Sequence, residues 1–170
     1  LVGTKMATPE SRSIHGLVTK FRVMAGGVGL YKHNNIELKA VEVQELVVGN
    51  KDMSFEDYVS CRKMDFILEG FYNNSPYSEL FSSFKSMGFS IFDLLQFIHS
   101  RPDLYTKKVT DIFDIHEKMT RSNLFETYEE ARNQSDENFE LYRCGKLGFN
   151  ETLECKKMLY FLTFLIFLGL

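Results

Sequence analysis

The amino-acid sequence predicts a mainly α-helical chain of the α+β class, with a short N-terminal β-hairpin or strand remnant followed by a bundle of four to five helices. Three observations lead to this prediction. Alternation of polar and apolar residues is confined to the first 50 residues, whereas apolar residues recur at helical spacing beyond them. Helix-capping patterns of the form Ser-x-x-Asp occur in the later part. The composition is 44% hydrophobic, with 16 Phe, 8 Tyr and no Trp, which supplies a Phe-rich core.

The same change in pattern divides the chain into a strand and loop region, residues 1–50, and a helical domain, residues 51–170. A chain of 170 residues is long enough for one domain with a small appendage. The formal net charge of −3 gives no reason to expect nucleic acid or an anionic membrane surface as a partner. The first residues lack the basic stretch and apolar run of a signal peptide, and we expect a cytoplasmic protein.

The N-terminal region is predicted to contain two short strands. The segment TKFRVM (19–24) alternates polar and apolar residues, as a half-buried strand does. The Val-rich segment 36–50 favours a second strand, and the two together suggest a small hairpin. Between them, the glycine-rich segment 25–31 is predicted to be a flexible turn, and Asn34 and Asn35 add residues that are typical of turns.

Beyond residue 50, helix caps and apolar spacing predict a series of helices. In the first of them, Ser54 and Asp57 place a hydroxyl and a carboxylate at the positive end of the helix. On the same helix, Arg62 lies among apolar residues, and we expect its charged head to reach solvent. The acidic segment 126–140 is predicted to be either a solvated helix face or a flexible connection. The predicted helices cover approximately residues 54–72, 77–87 and 90–99, a long stretch from 104 onwards, and a last segment that starts after Asn150.

The C-terminal stretch MLYFLTFLIFLGL (158–170) consists of 13 residues that are almost all apolar. A membrane-spanning helix needs about 20 such residues, whereas runs of about 10–14 are more typical of buried helices. We therefore expect a core or interface helix whose natural continuation is missing. A membrane anchor is the alternative that this stretch leaves open.

No set of cysteines or histidines has the spacing of a catalytic or metal site. The three cysteines, Cys61, Cys144 and Cys155, form no CxxC or CxxxCxxC cluster, and their odd number argues against a disulfide framework. We expect them to be buried or half-buried free thiols. The four histidines are scattered and could meet only through the tertiary fold: they are His15, His33, His99 and His116.

Carboxylates and tyrosines supply the remaining polar candidates. Two groups of acidic residues recur at helical spacing, but no ExxH pair accompanies them, and we expect solvated charges. These residues are Asp111, Asp114, Glu126, Glu129 and Glu130. Tyr72 and Tyr77 could line a cleft, although tyrosines near helix ends commonly serve packing. The sequence therefore assigns no catalytic, cofactor-binding or metal-binding residue.

Several stretches, taken in their order along the chain, resemble a known family. They include GTKMATPESRSIHGLVTKFR near the start, ELVVGNKDMSFEDYVSCRK further on, LFSSFKSMGFSIFDLLQFI after it and GFNETLECKK towards the end. Over roughly residues 1–160, the chain resembles the C-terminal region of cobalamin (B12)-binding radical SAM proteins, in which a helical region follows the radical SAM barrel. The individual motifs are caps and turns rather than reactive groups, so their order carries the resemblance.

The resemblance implies a parent enzyme that binds a 4Fe-4S cluster, S-adenosylmethionine and cobalamin, and that performs methyl transfer or other radical chemistry. The CxxxCxxC motif that binds the cluster in this family and the DxHxxG motif that binds cobalamin do not occur in this chain. No catalytic or cofactor-binding residue of the family can therefore be placed on it. The implied role is that of a helical portion, not catalytic by itself, which packs on the barrel of the same protein and shapes the substrate pocket.

A second function is compatible with the residues. An independent helical module for protein–protein interaction would bind a partner helix through a Phe-rich surface. The partner is then a separate protein, whereas in the first function it is the remainder of the parent enzyme.

Overall fold

The computed structural model describes residues 3–73 and 75–167 and confirms the predicted fold class. The described chain is mainly α-helical, with one two-stranded antiparallel hairpin near its N-terminal end. A short helix, α1 (Pro9–His15), precedes the hairpin. The Thr8 side chain accepts a hydrogen bond from the Ser11 backbone N–H, and Pro9 occupies the first turn, which is a combination typical of helix N-termini.

The described residues divide into two compact units. The first unit consists of the described part of Leu1–Tyr58 together with Arg121–Asn150. The second consists of Val59–Thr120 and the described part of Glu151–Leu170. The resemblance implies that residues 1–50 join this chain to the barrel of the parent enzyme, and the division at residue 50 stays a prediction.

The hairpin consists of strands β1 (Val18–His33) and β2 (Ile36–Gly49), which are longer than the two short strands predicted. They pair antiparallel from Val18 opposite Gly49 to His33 opposite Ile36. The connection is the two-residue turn Asn34-Asn35, in which both residues have positive φ, 47° and 64°. A turn with two positive φ angles matches the right-handed twist of paired strands, and asparagine tolerates this conformation better than most residues.

The glycine-rich segment 25–31 is not the flexible turn that the sequence suggested, because it lies within β1. The strand pairing is irregular here: Val23 faces Val43 and Val28 faces Val41, so four residues of β1 stand opposite one residue of β2. Gly26 has a φ of +75°, which permits this bulge at no steric cost. Glycine serves both turns and bulges, and its presence alone does not distinguish them.

Within the described residues, seven α-helices follow the hairpin, more than the four to five predicted. The acidic segment 126–140 accounts for much of the difference, because Thr127 and Glu130 form a capping box that starts a helix there. A π-helical turn, Leu68–Tyr72, and a 3-10 turn, Pro102–Leu104, add further short elements. The seven helices are α2 (Phe55–Ile67), α3 (Ser78–Ser86), α4 (Ile91–Ser100), α5 (Lys107–Ser122), α6 (Tyr128–Glu137), α7 (Phe139–Arg143) and α8 (Glu151–Phe167).

The first unit packs α6 and α7 against the hairpin. The Phe21 and Phe125 backbones exchange two hydrogen bonds of 2.8 and 2.7 Å, which attach the segment before α6 to β1. Phe139 of α7 is buried and lies under the Lys39 ammonium group, 4.8 Å from its ring centroid. Ala131 and Ser135, one turn apart on α6, are fully buried. With Val23 and Val48 of the hairpin, which are also buried, the core of this unit consists of aliphatic and small side chains and one ring.

The second unit has a larger apolar core. The Phe66 ring lies against the Phe113 ring, with centroids 4.9 Å apart at an angle of 61°, and Tyr105 stacks on the same Phe113 ring at 4.8 Å. Because α2, α3, α4, α5 and α8 all contribute, this cluster joins helices that are distant in sequence. Its buried members are Phe66, Ile67, Phe81, Leu95, Ile112, Phe113, Cys155 and Leu162.

Candidate functional site

Five polar side chains meet in the second unit, three of them in its interior, and we call the five the polar cluster. Arg62 and Asp65 are three residues apart on α2 and therefore share a helix face. His116 comes from α5, and Glu151 and Thr152 open α8. His116, Glu151 and Thr152 are almost completely buried, so this cluster is the most heavily desolvated group of polar side chains in the described part of the chain.

Arg62 is the centre of the polar cluster. Its guanidinium donates hydrogen bonds to Glu151 at 2.7 Å and to Asp65 at 2.9 Å. A third hydrogen bond reaches the Thr152 hydroxyl at 3.3 Å. These charge-assisted bonds compensate for the cost of burying the Glu151 carboxylate, whose side chain is only 5% exposed.

The expectation that the head of Arg62 reaches solvent holds only in part, because its side chain is 23% exposed and its charge is paired with Glu151 and Asp65. Its partners Glu151 and Thr152 are 89 and 90 residues away in sequence, and spacing along α2 cannot reveal them. The apolar neighbours of Arg62 on α2 correctly indicated an inward face. They did not indicate that the buried carboxylate of Glu151 lies opposite this face and pairs with the guanidinium.

Thr152 links His116 to the rest of the polar cluster. Its hydroxyl lies 3.2 Å from the Nε2 atom of His116 and 3.3 Å from a carboxylate oxygen of Asp65. The hydroxyl has one proton to donate, which goes either to Asp65, with Nε2 of His116 then donating to Thr152, or to Nε2 itself.

His116 is neutral at neutral pH. Its ring stacks on the Phe66 ring, with centroids 4.7 Å apart and an angle of 14°. Burial lowers the pKa of His116 to about 4, because the charged imidazolium would lose its hydration there, and the nearby Glu151 carboxylate opposes this shift only in part. The imidazole is thus held as an uncharged ring inside the unit.

The polar cluster does not have the geometry of an activated nucleophile. Activation of a hydroxyl requires a base that accepts its proton and is oriented by a third group. Here the Thr152 hydroxyl accepts a hydrogen bond from Arg62 and belongs to an almost completely buried residue, so it is not presented to a substrate. What this arrangement can do chemically is hold α2, α5 and α8 in register through buried hydrogen bonds.

The four candidate histidines are not brought together. His15 and His33 are exposed residues of the first unit, at the end of α1 and beside the hairpin turn. In the second unit, His99 lies 3.2 Å from both the backbone oxygen and the hydroxyl of Ser60, separate from His116. Across residues 3–73 and 75–167, no group of three or more His, Cys, Asp or Glu side chains is placed to hold a metal ion.

The three cysteines are free thiols, but only one of them is buried. Cys155 is fully buried in the core, and burial raises the pKa of its thiol to about 11. Cys61 on α2 and Cys144 at the end of α7 are exposed, which corrects the expectation that all three are buried or half-buried. The apolar face of α2 predicted from the sequence does not include position 61, and this is the physical reason for the exposure of Cys61.

The acidic candidates form surface pairs and caps. Asp111 pairs with Lys107, and Glu126 pairs with Lys20 of β1. Glu130 accepts hydrogen bonds from the backbone N–H groups of residues 126 and 127, which completes the capping box of α6. Asp114 and Glu129 are exposed, so the expectation of solvated charges is confirmed for this set.

The two candidate tyrosines serve packing to different degrees. Tyr77 stacks on Phe71 at 5.7 Å, and its hydroxyl forms a hydrogen bond with Thr163 of α8. Tyr72 is exposed, and its ring meets Phe81 edge-on, with centroids 5.6 Å apart. Tyr72 also lines a cavity beside α3, so the expected contribution to a cleft holds for this residue.

The exposed aromatic residues are a feature that the sequence analysis assigned largely to the core. On α8, Cys155, Leu159 and Leu162 are buried, whereas Met158, Phe161 and Phe164 are exposed at three-residue spacing. We call these three exposed residues the outer face of α8. The signal was available in the sequence, because α8 is apolar at too many positions for one buried face. The final residues 168–170 of the predicted apolar stretch lie outside the described residues.

Comparisons of this chain with protein-family models, with curated proteins and with solved structures found no match. Among the helices in the described residues, none is long and apolar enough to cross a membrane.

Proposed function

We propose that this chain is a helical packing domain without catalytic residues of its own, and that it is the C-terminal helical portion of a B12-binding radical SAM enzyme. The observation that supports this proposal most directly is the outer face of α8, where Phe161 is 64% and Phe164 is 57% exposed. A helix that is apolar on both faces is normally buried on both. The outer face of α8 is therefore suited to contact with further polypeptide, because exposed aromatic clusters commonly mark interaction sites.

In this function, the outer face of α8 packs on the barrel of the parent enzyme and helps to shape its substrate pocket. The 4Fe-4S cluster, S-adenosylmethionine and cobalamin belong to the remainder of that enzyme, since the resemblance carries none of their ligands onto this chain. The polar cluster supports a scaffold role, because its hydrogen bonds are used within the unit itself. The proposed location is the cytoplasm, where three free thiols stay reduced.

An independent interaction module is the alternative function, and α4 favours it. Phe92 is 66% exposed, and Phe89 just before the helix is exposed as well. Leu95 on the same helix is buried in the core, so the two faces of α4 are both apolar. A partner helix that presents apolar side chains could bind to such a surface in the manner of helix-in-groove recognition.

The packing contact is tested by a double substitution on the outer face of α8, Phe161→Asp with Phe164→Asp, in two proteins. In the full-length gene product, we expect a lower thermal midpoint and less bound iron, because the contact would bury two unpaired carboxylates. In the isolated chain, we expect unchanged helix content by circular dichroism and weaker binding of a hydrophobic dye. Only exposed side chains are altered, so the core of the unit is left intact.

The matched control is Lys157→Asp, which introduces a carboxylate at an exposed polar position of α8. It should change neither the thermal midpoint nor the iron content. If the double variant of the full-length product behaves like this control, the packing contact is refuted. If the anaerobically reconstituted full-length product holds no iron–sulfur cluster, the radical SAM assignment itself is refuted.

Size-exclusion chromatography of the isolated chain separates the two functions. A chain that aggregates, and becomes monodisperse when co-expressed with the remainder of its gene product, supports the packing domain. A chain that is a well-behaved monomer by itself favours the interaction module. In the second case, Phe92→Asp should abolish binding of an apolar partner helix, whereas Gln96→Asp at a neighbouring exposed position should not.

A further inference from the structure

A cavity of about 320 Å³ lies beside α3 in the second unit. This volume is close to the lower limit, about 300 Å³, of small-molecule sites in proteins. It is suited to a compact metabolite rather than to a large cofactor. The residues that line it are Tyr72, Ser78, Phe81, Ser82, Lys85 and Ile91.

The sequence of α3 places four of the lining residues on one face. Ser78, Ser82 and Lys85 follow one another at intervals of four and three residues, which is the repeat of a helix face. Phe81 is adjacent to them and is almost fully buried in the core, so its ring forms a fixed part of the wall. The face is therefore polar along the helix and apolar where it meets the core.

The remaining walls are apolar. The ring of Tyr72 stands at 82° to the ring of Phe81, with centroids 5.6 Å apart. Ile91, at the start of α4, contributes a branched aliphatic side chain. A flat or branched hydrocarbon group would contact two rings and the sec-butyl group of Ile91 at once.

The polar part of the lining carries positive charge only. Lys85 contributes an ammonium group, and among the described lining residues there is no carboxylate. Ser78, Ser82 and Lys85 are all exposed, so their donor groups are open to a ligand that enters from solvent. Three donors that face one cavity without a carboxylate favour an anionic ligand group, since an ammonium is a donor and never an acceptor.

The geometry points to a binding site for a small carboxylate with a compact aromatic or branched hydrocarbon body. The carboxylate lies beside the Lys85 ammonium and accepts hydrogen bonds from the Ser78 and Ser82 hydroxyls. The hydrocarbon body lies between Phe81, Tyr72 and Ile91. This inference does not depend on the proposed packing role, because none of the lining residues belongs to the outer face of α8.

The test uses the full chain, with 3-phenylpropionate as the probe and 3-phenylpropionamide as its neutral counterpart. The Ile91 methyl signals are followed by NMR during each titration, with Ile14 of the first unit as the internal reference. We expect saturable shifts at Ile91 with the acid and about tenfold weaker binding of the amide, since a hydrogen bond to a charged group is stronger than a neutral one. The reference signal should stay unchanged.

Two variants make the assignment specific. Lys85→Met keeps a long side chain but removes the charge, and should weaken binding of the acid about tenfold while leaving binding of the amide unchanged. The control Lys118→Met removes an exposed lysine of α5 in the same unit and should have no effect. Ser82→Phe, at an exposed position, should fill the cavity and abolish binding of both probes.

Three results would overturn the inference. The first is the absence of saturable Ile91 shifts with the acid up to 10 mM, the weak end of metabolite affinities on the order of 1–10 mM. The second is equal affinity of the acid for the Lys85→Met and Lys118→Met variants. The third is unchanged binding to the Ser82→Phe variant, which would locate the probe elsewhere on the protein.

Discussion

The two units of this chain bury different kinds of side chains. The first unit surrounds a long hairpin, and its charged residues pair near the surface, as Arg12 does with Glu45 at 2.7 Å. The second unit surrounds stacked rings and places an arginine, a carboxylate and an imidazole in its interior. Glu151 in the second unit is 5% exposed, whereas Glu56, which pairs with Arg121 in the first unit, is 71% exposed.

Because of this difference in burial, removal of one member of an ion pair should not have the same effect on stability in the two units. In an ion pair on the surface, each charged group loses part of its hydration and gains an interaction of similar strength. The net contribution of such a pair to the free energy of unfolding is therefore small. A buried pair has already lost its solvation, and removal of one member leaves the other unsatisfied. We therefore expect the second unit to be sensitive to single substitutions and the first unit to tolerate them.

The largest effect is expected from Phe66→Ala in the aromatic core. The substitution removes a fully buried ring that contacts both Phe113 and His116, and leaves a cavity. The free energy of unfolding should fall by about 4 kcal/mol, measured by urea denaturation followed by circular dichroism. Phe92→Ala, which removes an exposed ring, should change it by less than about 0.5 kcal/mol. Similar losses from the two substitutions would contradict the assignment of the core.

A slightly smaller loss is expected from Arg62→Met. The Met side chain fills much of the space but leaves the buried Glu151 carboxylate without its main donor. The free energy of unfolding should fall by about 3 kcal/mol. Adding Glu151→Leu should restore part of this loss, because the uncompensated charge is removed as well. Failure of the second substitution to restore any stability would show that the pair matters through packing alone.

The polar cluster also predicts a pH dependence with a definite sign. The pKa of His116 is about 4 when folded and about 6.5 in an unfolded chain, so the unfolded state binds the proton first as the pH falls. Stability is therefore complete above pH 6.5 and is lost progressively towards pH 4. Between pH 7 and pH 5, the loss should reach about 2 kcal/mol.

His116→Gln keeps a side chain that can donate to Thr152 but does not titrate in this range, and the slope between pH 7 and pH 5 should disappear. His15→Gln at an exposed position should leave the slope unchanged. The acidic groups with lowered pKa, Glu45 among them, lose their contribution only as the pH falls below the ordinary carboxylate range. A slope that persists in His116→Gln would exclude His116 as its source.

The smallest effect is expected from Arg12→Met in the first unit. The side chains of the lost bidentate contact are 32% exposed for Arg12 and 14% for Glu45, and Glu45 keeps some access to water, which can replace part of the contact. Amide hydrogen exchange in β2 should quicken slightly at low salt, and the difference should disappear in 1 M NaCl, where the Debye length is about 3 Å. An effect as large as that of Arg62→Met would erase the contrast between the units.

The sequence predicted those features that depend on neighbouring residues. Ser90 accepts the hydrogen bond from the Asp93 backbone N–H that caps α4, and Thr8 caps α1 in the same manner. Alternation and β-branched residues identified the hairpin, although the glycines of 25–31 concealed its length. These signals act over a few residues, so local spacing is sufficient to detect them.

The polar cluster could not be predicted in this way. Its members come from three helices, and the hydrogen bond between Arg62 and Glu151 joins residues that are 89 positions apart. Spacing identified each helix face but not which faces would meet. The cavity beside α3 could not be predicted from local spacing either. Two of its lining residues, Tyr72 and Ile91, come from the segments before and after α3.

The unequal exposure of the three thiols has a practical consequence. Cys61 belongs to one unit and Cys144 to the other, and both are exposed, whereas Cys155 is buried with its pKa raised to about 11. A maleimide reagent reacts with thiolates that it can reach, so it should modify the first two cysteines and spare the third. The natural sequence can therefore be labelled at these two cysteines with a pair of spin labels or fluorophores, one on each unit. Distances between them would then report on domain movements as partners or metabolites are added.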